Sequence, residues 1–411
     1  DKDTGLSSPI DLPGSPVGYL SFSPNNLYLA FQSRPEGHLL HHPQLWVLRK
    51  DGGAVNATSI TRKIDGWITG HDWNENGSGL YVGMVQGTEG CILEIGIDEE
   101  ILGTISQSER YMSGPHCDRR NGRLLHLEQS SDTPQRLCIR MRRGDESSTL
   151  CDFNEELVLD AAKANTRTWP VTQDTTIEGV YYPAPVNESK GTIVWLHGGP
   201  AEQITHTFSP YFQVFAKAGF SVFCPNYRGS SGRDDSFLRA NVGRLGDVDV
   251  HDVVTGVEHL FEEGLATPSR TFGVGWSYGG SLALLTALKK EIFQALCVGA
   301  PVVDWVSFFG SRRLPSLYRD YFPTPLWEDR RLYDNASPLT HIANLKASTL
   351  VFHGNQDPVV DVSQSRLLYR VLKARGVKTD LMVYPHEGHV PKAPDAVADM
   401  LQRIIDWLEE A

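Results

Sequence analysis

Ser277 lies in the sequence GWSYGG, which follows the pattern G-x-S-x-G. A serine in this pattern is a catalytic nucleophile when it stands on a tight turn between a strand and a helix. The alternative is a small residue in a glycine-rich packing turn. The run RTFGVG before it predicts a strand and YGGSLALLTALKK after it predicts a helix. Gly275 and Gly279 supply the small neighbours that such a turn needs, so the context favours a nucleophile.

A serine hydroxyl needs a general base, and the base needs an acid that fixes its tautomer. His389 follows the predicted strand TDLMVY, and Gly388 before it would allow a close backbone turn; His386 is the alternative base. Asp357 follows the predicted strand STLVFHG, with Asp361 as the alternative acid. The order serine, aspartate, histidine along the chain is that of α/β-hydrolase triads.

The developing oxyanion needs hydrogen-bond donors. The sequence LHGGP follows the first buried strand of this region, and its glycines would let backbone N–H groups approach the substrate. We expect the amides of Gly199 and Tyr278 to be these donors and His197 to be a structural loop residue. No cofactor and no metal site is predicted.

An aromatic-rich segment follows the predicted strand ALCVG and could line the acyl pocket; the alternative is ordinary core or lid packing. Its candidate pocket residues are Trp305, Phe308, Phe309, Tyr318 and Tyr321.

The elements that must position these residues alternate between strand and helix from about residue 190. GTIVWL, FSVFCP and RTFGVG have the apolar composition of buried strands, and VDVHDVVTGVEHLFEEG has a helical period. Such alternation predicts a mostly parallel, doubly wound sheet, with functional residues in loops at the carboxyl ends of its strands. Cys224 in FSVFCP and Cys297 in ALCVGAP are expected to be buried.

The N-terminal part has a different rhythm. Short strands surround polar turns at Asn25, Asn76 and Asn121. A repeat of about 40 to 50 residues with four strands is typical of propeller blades. We therefore predict an all-β, propeller-like domain of about three blades over residues 1–160 and a catalytic domain over 161–411. A plain antiparallel sandwich is the alternative, and open blade edges would favour homo-oligomers.

The composition restricts the partners. The net charge of −12 disfavours nucleic acid and anionic membranes. No apolar run reaches the length of a membrane span, and the N-terminus has no signal-peptide pattern. We expect a soluble protein acting on a small substrate; its compartment stays open, with the cytoplasm favoured over secretion.

Five separated motifs, LHGGP, PNYRGSSG, GVGWSYGG, LYDNASPLTHIANLKASTLVFHGNQD and YPHEGH, together resemble the prolyl oligopeptidase family of serine peptidases. The nearest branch resembles acylaminoacyl-peptidases and dipeptidyl aminopeptidases, and the likeness covers about residues 165–411. It implies an α/β-hydrolase fold behind a β-propeller. It also implies cleavage of short peptides or of N-acylated amino acids, with the triad and amides named above and no cofactor.

The sequence departs from the family pattern at three points. The propeller region is short, Val359 stands where the family often has an arginine, and neither Glu99-Glu100 nor Glu155-Glu156 matches the glutamate pair of dipeptidyl peptidases. The predicted function is a serine hydrolase that cleaves short peptides or N-acylated amino acids, and the three departures shift weight toward a broader esterase or amidase. The alternatives are a carboxylesterase or amidase on small esters, thioesters or lactones, and a binding protein with an idle hydrolase domain.

Overall fold

A computed structural model describes residues 12–14, 17–35, 40–50, 57–141, 145–156, 160–185, 189–310 and 315–411. The chain divides into two compact units. One contains Asp1–Val158 with Gly232–Asp235, and the other contains Leu159–Ser231 with Ser236–Ala411.

The first unit is built from antiparallel strands. They are β1 (Val17–Phe22), β2 (Tyr28–Ser33), β3 (Gln44–Arg49), β4 (Thr58–Ser59), β5 (Trp67–Trp73), β6 (Gly79–Gln86), β7 (Glu89–Gly96), β8 (Ile101–Ile105), β9 (Arg110–Asp118), β10 (Arg123–Ser130), β11 (Arg136–Arg140) and β12 (Ser148–Cys151). The order of pairing gives three four-stranded meanders, β1–β4, β5–β8 and β9–β12. A bridge between Gly90 and Tyr111 joins the second meander to the third.

Each meander turns between its first two strands at an asparagine. The side-chain carbonyl of Asn25 accepts a hydrogen bond from the N–H of Leu27, two residues further on. Asn76 and Asn121 accept in the same way from residues 78 and 123. The side-chain amide of Asn25 also donates to the carbonyl oxygen of Asn76 at 3.2 Å, so one turn is tied to the next.

The second unit alternates strands and helices. Its strands are β13 (Asn165–Pro170), β14 (Thr176–Tyr182), β15 (Gly191–Leu196), β16 (Phe220–Asn226), β17 (Thr271–Trp276), β18 (Ala295–Gly299), β19 (Ser348–Gly354) and β20 (Thr379–Tyr384). Its helices are α1 (Pro210–Lys217), α2 (Asp235–Leu238), α3 (Val248–Glu262), α4 (Tyr278–Lys289), α5 (Trp305–Phe308), α6 (Pro315–Tyr321), α7 (Arg330–Ala336), α8 (Pro338–His341), α9 (Ser363–Ala374) and α10 (Pro394–Glu409).

These strands form one sheet in the order β13-β14-β16-β15-β17-β18-β19-β20. Six neighbouring strands, β16, β15, β17, β18, β19 and β20, pair in parallel. Strands β13 and β14 add an antiparallel edge that the sequence analysis did not predict. Right-handed βαβ crossovers bring the carboxyl ends of the parallel strands to one edge. Loops after β15, β17, β19 and β20 therefore meet there.

The two faces of this sheet are packed differently. Val274 of β17, Cys297 of β18 and Phe352 of β19 lie on one face of the sheet and share an apolar core with residues of α1 and α10. Helix α4 contacts both α3 and α8, and it packs on β15, β17 and β18 from the other face. Cys224 and Cys297 are buried as predicted, and all six cysteines are free thiols.

None of the helices in the described part of the chain is both long enough and apolar enough to cross a membrane.

Candidate active site

Ser277 stands on a strained turn between β17 and α4. Its backbone has φ 58° and ψ −126°, which a non-glycine residue adopts only when its surroundings enforce it. The N–H of Ser277 donates to the carbonyl oxygen of Gly299 at 2.8 Å, and its own carbonyl accepts from the N–H of Gly280 at 3.0 Å. These bonds fix the turn at the carboxyl end of β17, where the sequence predicted it.

Gly275 and Gly279, the two glycines of the pattern, are required because the turn leaves no space for a side chain at either position. A Cβ on Gly275 would clash with the carbonyl oxygen of Gly279, and a Cβ on Gly279 would clash with the carbonyl oxygen of Leu196. Strand β17, helix α4 and strand β15 thus approach so closely that no side chain fits between them. The G-x-S-x-G spacing follows from this contact.

Asp357 and His389 are hydrogen-bonded to each other. Nδ1 of His389 donates to Oδ2 of Asp357 at 2.6 Å, which leaves Nε2 as the free ring nitrogen. The other carboxylate oxygen accepts from the N–H groups of Val359 at 2.7 Å and Val360 at 3.0 Å. The structure therefore brings together the first-choice base and acid, on the loops after β20 and β19.

A second histidine, which the sequence analysis missed, contacts the same carboxylate. Nε2 of His353 lies 3.3 Å from Oδ2 of Asp357 and 2.9 Å from the carbonyl oxygen of Val360. Its Nδ1 accepts from the hydroxyl of Ser365 at 2.7 Å. Burial alone would raise the pKa of the Asp357 carboxyl, but hydrogen bonds from His353 and His389 hold that pKa well below its ordinary value. The signal available in the sequence was the histidine inside the apolar run STLVFHG.

The alternative acid and base lie elsewhere. Oδ1 of Asp361 accepts from the N–H of Ser363 at 2.8 Å, where α9 begins. The side chain of His386 is exposed.

Gly388 was expected to allow a close backbone turn before His389, and this expectation was wrong. A Cβ on Gly388 would meet no atom closer than 4.0 Å, and its φ lies outside the left-handed region. The close approach occurs at Gly354, where a Cβ would clash with the carbonyl oxygen of Gly388. The glycine that these two loops require is therefore on the acid's strand and not beside the base.

Trp276, the residue before the serine, anchors the histidine loop. Its indole N–H donates to the carbonyl oxygen of His389 at 2.6 Å. This bond links the nucleophile turn directly to the loop of the base.

The glycine loop after β15 lies against the nucleophile. A Cβ built on Gly198 would come within 3.5 Å of the Cβ of Ser277 and 3.2 Å of the carbonyl oxygen of Trp276. The next residue, Gly199, has φ 105° and precedes a cis peptide bond to Pro200. Across from this loop, Tyr278 begins α4, whose first N–H groups have no acceptor within the helix. The loop and the helix start are thus adjacent at Ser277, as the oxyanion assignment to Gly199 and Tyr278 requires.

His197 is buried in contacts with its neighbours. Its ring stacks on Tyr227 with centroids 4.3 Å apart, and Nε2 lies 2.8 Å from the hydroxyl of Ser230. Burial lowers the pKa of His197 to about 4, so this ring is neutral at neutral pH. Its surroundings fit the structural role expected for it.

The ring of Tyr278 points away from the serine into a buried polar pocket. Its hydroxyl donates a hydrogen bond to Oδ2 of Asp249, and Oδ1 accepts from the N–H of Val250 at 2.9 Å. Asp249 is fully buried, and this burial raises the pKa of its carboxyl to about 6 despite both hydrogen bonds. The sequence showed only an aspartate on a predicted helix.

The five aromatic candidates form part of a packed cluster. Four are buried and Phe309 is 38% exposed. Four of these rings, those of Trp305, Phe308, Phe309 and Tyr318, contact one another or the neighbouring Phe322 and Tyr333, as between Trp305 and Phe308 at 5.5 Å and between Phe309 and Tyr318 at 4.7 Å. The phenol of Tyr321 accepts from the backbone N–H of Ala201, in the glycine loop. None of the five candidates is among the described residues that line the cavity beside Ser277. These candidates are Trp305, Phe308, Phe309, Tyr318 and Tyr321.

That cavity measures about 240 Å³, and Ser277, Gly198 and His389 are among the residues that line it. Its walls come from β15, β17, β18, β19, α1 and α10. They are largely apolar, and Trp195, Tyr211, Trp276, Met400 and Ile404 are among them. The nucleophile and the base thus face one apolar space.

The two glutamate pairs lie on the surface of the first unit. Glu99 sits in a turn with φ 72° and pairs with Arg62 at 3.3 Å and Lys63 at 3.2 Å. The side chains of Glu155 and Glu156 are exposed. Among the described residues, no three histidine, cysteine or acidic side chains are grouped to hold a metal.

Comparison with known proteins adds three observations. The model of the prolyl oligopeptidase family matches residues 206–411. The acylamino-acid-releasing enzyme of Arabidopsis thaliana is 30% identical over 247 residues, which cover 57% of this chain and 32% of that protein. An uncharacterized peptidase of Bacillus subtilis, YuxL, is 27% identical over 77% of this chain and 49% of its own length. The chain therefore spans a third to a half of the length of these two relatives.

Among solved structures, the acylaminoacyl peptidase of Pyrococcus horikoshii superposes with a TM-score of 0.81 at 19% identity. The match covers 93% of this chain and 61% of that one. At this identity the likeness concerns the fold. It confirms the predicted fold class, an α/β-hydrolase unit with an all-β region before it.

Proposed function

The chain belongs to the prolyl oligopeptidase family, and on that premise we propose that it is a serine peptidase that cleaves short peptides or N-acylated amino acids. In this proposal Ser277 is the nucleophile, His389 the base and Asp357 the acid, and the amides of Gly199 and Tyr278 form the oxyanion hole.

One observation carries the proposal. The carboxylate of Asp357 accepts the Nδ1 proton of His389 at 2.6 Å, and the loop of that histidine is bonded through Trp276 to the turn of Ser277. If Ser277 only filled a glycine-rich packing turn, the fold would need neither the hydrogen bond between Asp357 and His389 nor the link through Trp276. The two backbone donors on Asp357 keep the carboxylate oriented toward the imidazole.

The reaction proceeds through an acyl-enzyme. Ser277 Oγ attacks the substrate carbonyl carbon while Nε2 of His389 takes the hydroxyl proton, and the negative charge moves to the carbonyl oxygen. Asp357 stabilises the resulting imidazolium. When the oxyanion collapses, the bond to the leaving amine breaks and His389 gives it the proton. A water then attacks the ester of Ser277, with His389 again as base, and the acid product leaves.

The oxyanion donors supply a large part of the rate. Removal of one such donor in a hydrolase costs about 10²- to 10³-fold in kcat. The charge arises at the start of α4, where the helix dipole favours it. Substrate class rests on the relatives, because two of the proteins named above are acylamino-acid-releasing or acylaminoacyl enzymes.

A fluorophosphonate probe tests the nucleophile. We expect stoichiometric labelling of the native protein, loss of labelling in Ser277→Ala, and unchanged labelling in Ser148→Ala, which alters an exposed serine of β12. Labelling that survives Ser277→Ala, or none in the native protein, would contradict the proposal and leave a binding protein as the better interpretation.

A substrate panel then tests the class. N-acetyl-alanine and glycyl-phenylalanine p-nitroanilides are compared with p-nitrophenyl esters at equal enzyme concentration. Hydrolysis of the anilides is the expected result. Activity confined to the esters would replace the peptidase with a carboxylesterase.

A further inference from the structure

The cavity beside Ser277 lies on the face of the sheet opposite to the aromatic cluster. Its wall residues Val274, Cys297 and Phe352 belong to the same side-chain rows that pack against α1 and α10. Helices α5 and α7, which hold part of the aromatic cluster, contact each other, and α7 contacts α8, which packs on α4. Since α4 lies on the other face of the sheet, the two apolar regions lie on different sides of the nucleophile.

The lining of the cavity is mainly apolar. Trp195 and Tyr211 form one side, and Met400 and Ile404 of α10 form another. His197 contributes a ring that burial keeps neutral. Among the described lining residues, Glu202 is the one carboxylate, and its side chain is exposed.

Such a space selects apolar groups. An apolar cavity of about 150 Å³ stays dry and binds benzene. The cavity here measures about 240 Å³, so a group of six or more carbons fits. Ligand sites of this kind are mainly apolar, with a few polar groups that fix the reacting end. Here Ser277 and His389 are among the few polar residues in the lining.

We propose that this cavity binds the acyl side of the substrate, as an aliphatic or aromatic chain attached to the carbonyl that Ser277 attacks. This inference rests on the proposed function, because it assigns the cavity to the group that becomes bonded to Ser277. The carbonyl carbon sits beside Ser277 and Gly198, and the chain extends between β17 and α10. The leaving group departs on the solvent side and does not enter.

Chain length is therefore the variable to test. In a series of p-nitrophenyl esters from acetate to octanoate the leaving group stays constant, and Ser277→Ala supplies the background rate. We expect kcat/KM to rise about fourfold for each added methylene up to the hexanoate, from the transfer free energy of a methylene group. A flat series would overturn the proposal.

Two matched substitutions on α10 locate the effect. Ile404→Phe narrows the cavity and should lower the ratio of hexanoate to acetate activity at least tenfold. Ile405 is the next residue of α10 and is not among the residues that line the cavity. Ile405→Phe should therefore leave the ratio of hexanoate to acetate activity unaltered. Met400→Ala widens the cavity and should move the preferred chain to a longer acid. Equal ratios in Ile404→Phe and Ile405→Phe, both with native circular dichroism, would overturn the proposal.

Binding without turnover separates this inference from the proposed function. In Ser277→Ala, titration with n-hexanol monitored by calorimetry should show one site, which Ile404→Phe in the same background removes. If the protein does not hydrolyse the anilides but still binds hexanol, the peptidase proposal is wrong and the inference about the cavity stands. Failure of the inference appears as normal hydrolysis with hexanol binding absent.

Discussion

The hydroxyl of Tyr278 donates a hydrogen bond to the buried carboxylate of Asp249. Tyr278 follows the nucleophile directly, and its backbone amide is one of the two proposed oxyanion donors. Its ring is therefore fixed on the side of α4 that faces α3. In the proposed mechanism, the position of this oxyanion donor then depends on a buried carboxylate of α3.

Asp249→Asn should change the pH dependence of stability. Burial raises the pKa of Asp249 to about 6, from an ordinary value of 3.8, so the folded protein holds this proton more tightly than the unfolded chain. The free energy of unfolding should therefore fall as pH rises from about 4 to about 6, by on the order of 3 kcal/mol. Urea unfolding between pH 4 and 7 should show this slope in the native protein and a flatter curve in the variant. Parallel curves would contradict the assignment.

Tyr278→Phe should reduce both stability and kcat. The substitution leaves the Asp249 carboxylate without its phenol partner, which costs about 1–3 kcal/mol for a buried group. It also frees the first turn of α4, so we expect kcat to fall about tenfold with KM nearly constant. Tyr333→Phe is the control, because its hydroxyl bonds only to the carbonyl oxygen of Thr324 among the bonds described. Equal kcat values for the two variants would argue against a positioning role of the phenol.

Asp357→Asn should lower kcat/KM by about 10³- to 10⁴-fold. An amide cannot hold the imidazole in the required tautomer or stabilise its cation, and a triad aspartate elsewhere shows a loss of this size. Asp361→Asn is the matched control, since asparagine also caps a helix and Asp361 contacts the start of α9. The rate of p-nitrophenyl ester hydrolysis gives kcat/KM for both variants. A larger loss in Asp361→Asn would reverse the choice of acid.

Gly354→Ala should disrupt the acid and base loops together. The new methyl group would overlap the carbonyl oxygen of Gly388, so either β19 or the histidine loop must move. We expect a stability loss of about 1–3 kcal/mol or more, as for other overpacked sites, and a fall in kcat. Gly388→Ala places the same methyl group where its nearest neighbour is 4.0 Å away. Thermal unfolding should separate the two variants, and similar midpoints would show that the loops adapt.

Local sequence patterns predicted the parts of the site that depend on local structure. The turn of Ser277 follows from two glycines within two residues of it, and the loops of Asp357 and His389 follow from the strands that precede them. The chain order of the three residues then restricted the fold. Each of these inferences needed only the period of a strand or helix and the steric demands of one turn.

Side-chain contacts were less accessible in this way. Tyr278 meets Asp249, 29 residues away, because α3 and α4 pack side by side. His353 is only four residues from Asp357, but it reaches that carboxylate because the chain turns after β19, where the N–H of Asp357 donates to the carbonyl oxygen of Gly354. The aromatic segment was expected near the substrate from its composition. Its rings pack mainly on one another, and the cavity walls come from α1 and α10, whose apolar residues have the period of any core helix.

The asparagine turn recurs at the same place in three successive meanders, and the amide of Asn25 is bonded to the next turn. Each of these turns lies inside its own meander, between the first and second strands, and the bond from Asn25 reaches the corresponding turn of the following meander. Replacement of Asn25 would therefore affect two structures together, because the same side chain closes its own hairpin and links that hairpin to the next one.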